Sequence, residues 1–265
     1  MKPLSPLRYP GGKFKALSQI LPRFPEFKEY REPFLGGGSV LLETKSRFPD
    51  RAYWGNDLNR DLYLFWHMVQ ATPVYFTGVV SREKERCTEG RELWDRYHNA
   101  DTDELTRIGK AVRYFILNRI SFSGAVDCAG YSENSFQKRF THSAIARIGS
   151  ASQGLRGVRL TNLNYSDLVN VPGEDVFVFL DPPYRSAMGS KLYGRKGDLH
   201  TGFDFVRLSE TLRNSPHKWL MTIDDCPEVR DLFSWAKVEE WSLQYGMGNG
   251  SGTAPKGKEL FISNY

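Results

Sequence analysis

The sequence predicts an α/β fold: a mostly parallel sheet with helices on both faces, interrupted by a mainly helical insertion. Three observations carry this. Val176–Leu180 (VFVFL) is a continuous apolar run of strand length, the pattern of a strand buried on both faces of a parallel sheet. Strand-like and helix-like segments alternate before and after the middle of the chain, the order that builds such a sheet. The middle stretch, roughly 73–154, has no convincing strand.

Taken in order, residues 39–48 (SVLLETKSRF) read as a helix opened by a glycine-rich turn. Residues 52–57 (AYWGND) read as a strand ending in an acid, and 59–71 as a helix with an apolar stripe. Within the insertion the clearest helix is 103–120, where Leu105, Ile108, Val112 and Phe115 recur at helical spacing. The Ser- and Gly-rich stretch after it, ISFSGAVDCAGYSENSFQKRF, reads as a long surface loop, a length uncommon unless the loop is functional or disordered. After 155 come the strand at 176–180, a polar stretch to Gly202, a helix at 203–215, a strand at 219–224 and a helix at 227–236. Trp241, Leu243 and Tyr245 alternate with polar residues, so this segment can pair with ELFISNY (259–265) as a hairpin. The expected organisation is a sheet domain of 1–72 and 155–265 around an inserted domain of 73–154.

Composition narrows the function classes. The chain has 265 residues, 40% hydrophobic and 25% charged, which excludes wholesale disorder. No run approaches the length of a membrane span, and MKPLSPLRYPGGK lacks the apolar stretch of a secretory signal. Cys87, Cys128 and Cys226 stand at unrelated spacings that suit neither a disulfide framework nor a zinc site, so reduced thiols in a cytoplasmic protein are expected. The five histidines do not pair at ligand spacing, and no metal is expected. A net charge of +5 permits a polyanionic partner.

Two constellations carry chemistry. In Pro33-Phe34-Leu35-Gly36-Gly37-Gly38-Ser39, three glycines precede a helix and allow positive φ and close backbone approach. Asp57 follows Gly36 by 21 residues at the end of the next strand, where an acid accepts hydrogen bonds from ribose hydroxyls. The alternative is that Asp57 caps the helix beginning near Asn59. The pattern is not G-x-G-x-x-G, which disfavours a dinucleotide. The second constellation is Asp181-Pro182-Pro183-Tyr184 after the apolar strand. Two prolines stiffen the backbone and remove donors. A carboxylate and a proline carbonyl can then accept both N–H bonds of an exocyclic amine while the aromatic ring stacks on its face.

Here the sequence resembles the Dam-type N6-adenine DNA methyltransferases. VFVFLDPPY resembles the catalytic motif of amino-group methyltransferases, EPFLGGGSV the family's S-adenosylmethionine loop, and RYPGGK its N-terminal cofactor motif. GNDLN (55–59) and ELFISNY also resemble the family, in the family's order. The resemblance covers roughly 1–72 and 155–265. It implies a Rossmann-like S-adenosylmethionine-dependent methyltransferase sheet, with the insertion as target-recognition domain. It implies site-specific transfer of a methyl group to N6 of an adenine flipped out of duplex DNA, leaving S-adenosylhomocysteine. Asp181, Pro182, Pro183 and Tyr184 would then be catalytic. Tyr9, Lys13, Phe34, Gly36, Gly38, Asp57, Asp167 and Asp181 would bind the cofactor, although Asp167 fits a helix cap equally well. Many relatives read Asn-Arg and then Phe-Asn-Gly in the middle region. Asn118-Arg119 and Phe122-Ser123-Gly124 keep that outline and imply DNA contacts from Arg119 and Ser123.

Basic residues in three loops extend the expected DNA surface: Lys138, Arg139 and His142; Arg185, Lys191, Arg195 and Lys196; and Lys256 with Lys258. Expected partners are double-stranded DNA and, as a candidate, a cognate restriction endonuclease, with no membrane and a location with the cytoplasmic nucleoid. Rival readings are the same fold acting on cytosine N4, where Ser-Pro-Pro-Tyr is usual, or on RNA or protein glutamine. A non-catalytic DNA-binding module and a nucleotide-binding oxidoreductase are the rivals from other classes.

Overall fold

The computed structural model describes residues 5–185, 202–244 and 256–265. Its centre is a seven-stranded sheet of order β3-β2-β1-β4-β5-β7-β6. The strands are β1 (Glu29–Glu32), β2 (Ala52–Asn56), β3 (Arg159–Thr161), β4 (Val176–Leu180), β5 (Lys218–Asp224), β6 (Lys237–Gln244) and β7 (Lys256–Ser263). The first five run parallel, and β7 enters antiparallel between β5 and β6. The strand order reverses between β1 and β4, and a crevice opens at such a point in a doubly wound sheet.

The alternation within VFVFL shows why the sheet is covered twice. Phe177 and Phe179 join one apolar cluster, while Val176, Val178 and Leu180 join another on the opposite face. β7 divides likewise, with Phe261 in the first cluster and Leu260 and Ile262 in the second. The first face is covered by α1 (Leu17–Ile20), α2 (Ser39–Arg47), α3 (Arg60–Ala71) and the helices of the insertion. The second is covered by α9 (Ser166–Val169), α10 (Phe205–Arg213) and α11 (Pro227–Leu232). Local chemistry sets the helix starts. The Asn59 side chain accepts from the amides of Asp61 and Leu62, and that of Asp204 from the amide of Arg207.

Residues 73–154 hold α4 (Pro73–Arg86), α5 (Gly90–His98), α6 (Arg107–Ile120), α7 (Glu133–Arg139) and α8 (His142–Gly154). Their buried side chains, among them Phe76, Trp94, Phe115 and Ile145, belong to the same cluster as the sheet's first face. The insertion therefore shares its core with the sheet. α6 is its axis, with every residue from Ala111 to Ile120 buried.

Several expectations are corrected. The loop expected after residue 120 is folded: two short 3-10 turns, Phe122–Gly124 and Val126–Cys128, lead into α7. Val126, Phe136 and Phe140 anchor it in the core, and the Ser132 hydroxyl caps α7 by accepting from the amide of Ser135. Its Ser and Gly residues serve caps and turns. The helix expected from 103 begins at Arg107, where Thr106 caps it. Lys256 and Lys258 lie within β7 and not in a loop. β1 carries no apolar run. Its Arg31 is 1% exposed, donating to Glu29 Oε1 (2.7 Å) and to the carbonyls of Leu168, Val171 and Pro172.

Candidate active site

The loop after β1 and the loop after β4 face one another across the switch point. Between them lies a cavity of about 480 Å³, the size that takes a small-molecule ligand. Its walls come from the 9–13 turn, the glycine loop, the 56–59 segment after β2, Asn164 and Tyr165, the 181–184 segment, and 202–204.

The glycine loop is shaped by two aromatic rings. Gly36 and Gly38 have φ of 47° and 66°, which disfavours a side chain at either. Space forbids one as well. A Cβ at Gly36 would lie 2.8 Å from the Tyr9 ring, and one at Gly38 would lie 2.9 Å from the Trp66 ring. Trp66 Nε1 donates to the Gly36 carbonyl at 2.9 Å, so this core tryptophan also pins the loop. The Asp57 carboxylate accepts from the Gly36 amide (2.8 Å) and from the Asn59 amide (2.9 Å). Asp57 thus ties β2's end to the loop, while the cap of α3 is made by Asn59. Burial raises the Asp57 carboxyl to about 6, against those two amide bonds, which lower it. Phe34, Tyr165 and Phe203 form an aromatic wall, with ring centroids 5.4 to 5.8 Å apart.

The other side of the cavity is organised around Lys13. It is almost wholly buried and reaches both Asp181 carboxylate oxygens at 2.8 Å and the Gly11 carbonyl at 2.8 Å. Thr222, on the neighbouring β5, donates from its hydroxyl to Asp181 Oδ1 at 2.9 Å. The Lys13 ammonium also lies 4.8 Å from the Tyr184 ring centroid. The Tyr184 hydroxyl donates to Glu259 Oε2 at 2.6 Å. Burial raises the Glu259 carboxyl to about 7. Glu32, which also lines the cavity and accepts from Tyr30 at 2.6 Å, is held well above the usual carboxylate range, first by burial.

The structure thus brings Tyr9, Lys13, Phe34, Gly36, Gly38, Asp57, Asp181, Pro182, Pro183 and Tyr184 to one cavity. It does not bring Asp167 there. That residue is exposed on α9, and Asn164 and Tyr165 line the wall from the same segment. Glu32, Thr222 and Glu259 were not singled out from the sequence. Thr222 interrupts an apolar strand, whereas Glu32 and Glu259 stand beside other charged residues and give no local signal.

A second polar region lies in the insertion. Arg119 is 3% exposed, so the expectation of a DNA-facing side chain is corrected. Its guanidinium donates to the carbonyls of Arg139 and Pro6. Burial first, then Arg147, Arg8 and Arg139, push it down to about 9. Arg8 beside it donates to the Ser135 hydroxyl (2.9 Å) and the Ser121 carbonyl (3.4 Å). Lys138 and Arg139 are exposed at the end of α7, and Ser123 is half-buried with φ 55°. Lys191, Arg195 and Lys196 lie outside the described residues.

Comparison with known proteins shows the family of the chain. The model of the D12 class N6 adenine-specific DNA methyltransferases matches residues 9–247. The DNA N-6-adenine-methyltransferase of Escherichia phage P1 is 26% identical over 236 residues, 85% of this chain and 30% of its own length. The type II methyltransferase M.MjaIII of Methanocaldococcus jannaschii is 25% identical over 201 residues, 68% of each chain. The DNA adenine methylase of Escherichia coli K12 is 22% identical over 264 residues, 96% of this chain and 92% of its own. The chain therefore spans under a third of the phage relative and nearly the whole of the Escherichia coli one.

Proposed function

This chain belongs to the D12 class N6 adenine-specific DNA methyltransferase family, and from that premise we propose that it methylates N6 of an adenine flipped out of duplex DNA, with S-adenosylmethionine as donor. The observation that carries the reading is that Asp181–Tyr184 and the glycine loop line one cavity. The residues present fit that donor. Among the described residues, Glu32, Asp57 and Asp181 line the cavity with carboxyl groups against one ammonium, that of Lys13, which suits a cationic ligand. The aromatic wall of Phe34, Tyr165 and Phe203 suits an adenine ring. Asp57 would accept from the ribose hydroxyls of the donor, and the loop amides would hold its carboxylate tail.

When bound, S-adenosylmethionine supplies an electrophilic methyl on a sulfonium. The chain must then hold and activate a weak nucleophile, because the adenine N6 lone pair is delocalised into the ring. Asp181 and the Pro182 carbonyl accept the two N6 protons, which favours a tetrahedral nitrogen and the positive charge that develops on it. Such fixed electrostatics contribute several kcal/mol to a transfer step, and alignment of the two groups adds a proximity effect. Lys13 and Thr222 fix the Asp181 carboxylate before the base arrives. Tyr184 stacks on the base and offsets part of the few kcal/mol needed to flip it.

On the DNA side, Lys138 and Arg139 on α7 reach phosphates, with Arg8 and Arg147 beside them. The name of the Methanocaldococcus relative supports a restriction endonuclease of the same target site as the partner to look for, and the site of action is then cytoplasmic DNA. Expression in a host lacking adenine methylation, followed by sequencing for N6-methyladenine, tests the whole reading. A host genome left unmodified by a folded, cofactor-binding protein would reject it.

A further inference from the structure

β7 places a carboxyl group at the site that the transfer step does not use. Glu259 stands on the face of β7 that also carries Phe261, in register with Asp224 of β5 and Trp241 of β6. It is 1% exposed, so its carboxyl has left water and takes its partners from within the protein. Here its Oε2 accepts from the Tyr184 hydroxyl at 2.6 Å. The Lys13 ammonium stands 4.8 Å from the centroid of the same tyrosine ring. The ring is therefore held by its hydroxyl and by an ammonium together. The next residue is tied down too, because the Arg185 amide donates to Asp224 Oδ1 at 2.8 Å.

We propose that Glu259 is a positioning residue for base capture: by accepting from the Tyr184 hydroxyl it fixes the orientation of the ring, so that the ring already stands as a stacking platform when the target adenine enters. The role rests on the methyltransferase reading and adds to it a residue that touches neither adenine nor cofactor. The physical advantage is entropic. A tyrosine free to rotate about χ1 would have to be immobilised by the incoming base, whereas a tethered one is ordered beforehand. Other groups near the Glu259 carboxyl are Asp181, Asp224 and Lys13. Of these, Lys13 offers the competing role, in which Glu259 would serve cofactor binding.

Steady-state methyl transfer to adenine-unmethylated DNA, with calorimetric titration of S-adenosylmethionine, separates the two. Glu259→Ala and Tyr184→Phe are each expected to lower kcat/KM for DNA about tenfold, the scale of a lost hydrogen bond to a charged group. The double variant should be no worse than either single one, because both remove the same contact. Glu259→Gln keeps an acceptor oxygen and should recover most of the activity. Cofactor Kd should stay within about twofold throughout, since the tether serves the base. Equal and independent losses from Glu259→Ala in the wild-type and Tyr184→Phe backgrounds would overturn the proposal. So would a loss confined to cofactor affinity. If Glu259→Ala does not fold, Glu259→Asp, one methylene short of the hydroxyl, takes its place in the same cycle. Absence of transfer by the wild-type protein itself would instead reject the parent reading.

Discussion

Two regions of this molecule gather ionisable groups of one kind, carboxyls in one and guanidiniums in the other, and they do so by opposite means. The cavity at the carboxyl ends of the strands collects Glu32, Asp57 and Asp181, with Glu259 behind Tyr184 and Lys13 as the ammonium among them. The insertion gathers Arg119, Arg139 and Arg147, and Arg8 of the N-terminal segment joins them. In the cavity, strands and turns hold the acids rigidly, and burial raises Asp57 to about 6 and Glu259 to about 7. In the insertion, backbone carbonyls hold the buried arginine while Lys138 and Arg139 stay exposed. On the proposed function, the acidic region holds one small cationic ligand and the basic region meets an extended polyanion. Burial makes each carboxyl of the pocket sensitive to a neighbouring charge, whereas salt screens the exposed charges of the surface.

The sharpest way to break the comparison is at Asp181. Asp181→Ala should lower kcat by roughly 10²-fold or more with the fold intact, because the missing acceptor counts most as charge builds on nitrogen. Asp181→Asn is stricter, since it keeps the shape and loses the charge. Tritium transfer from labelled cofactor measures both, and near wild-type turnover in either would remove Asp181 from the reaction.

Asp57 tests whether the acidic side holds the cofactor. Asp57→Ala should weaken S-adenosylmethionine binding by about 1.5–3 kcal/mol, the range for charged hydrogen bonds. In the wild type, affinity should rise with pH through about 6, where the carboxyl ionises and becomes acceptor only. Calorimetry that finds a pH-independent Kd would separate Asp57 from the ligand.

The basic side should answer to salt. Reversing charge at Lys138 and Arg139 should weaken duplex binding and flatten log K against log salt by about two phosphate contacts. An unchanged slope would place the DNA elsewhere on the insertion.

The smallest effect concerns stability. Asp57 and Glu259 have folded values above those of ordinary carboxyls. Between pH 4.5 and 7 the folded chain keeps protons that the unfolded chain has released, so stability falls as pH rises and the loss is complete above about 7. The ligand-free protein should be more stable at pH 5 than at pH 8 by on the order of 1–3 kcal/mol. Urea titration at the two values checks the sign. Glu259→Gln should reduce the difference, and equal reduction by a distant exposed glutamate variant would show that the pocket is not its source.

Much of this was legible in the sequence because local pattern and final environment agree. VFVFL is apolar throughout and is buried on both faces, and the glycines at 36 and 38 mark a turn, whereas the cap of α3, offered to Asp57, fell to Asn59. The hairpin of β6 and β7 was legible from its period of two. The motifs at 33–39 and 181–184 were legible because each packs its chemistry into a few consecutive residues.

Other features were decided only in three dimensions. β1 reads as three charged residues and a tyrosine, yet it is a central strand, because Arg31 finds three carbonyls far along the chain and the carboxylate of Glu29 two residues back. The segment after α6 reads as a loop, yet Phe136 and Phe140 bury against helices whose positions no local pattern specifies. Arg119 reads as a DNA contact and is a bracket between Pro6 and Arg139. Glu259 reads as a strand terminus and meets Tyr184 across 75 residues. Period, caps and turns are short-range and follow from neighbouring residues. The partner that satisfies a buried charge is chosen by the packing of distant segments, so only the tertiary structure could assign it.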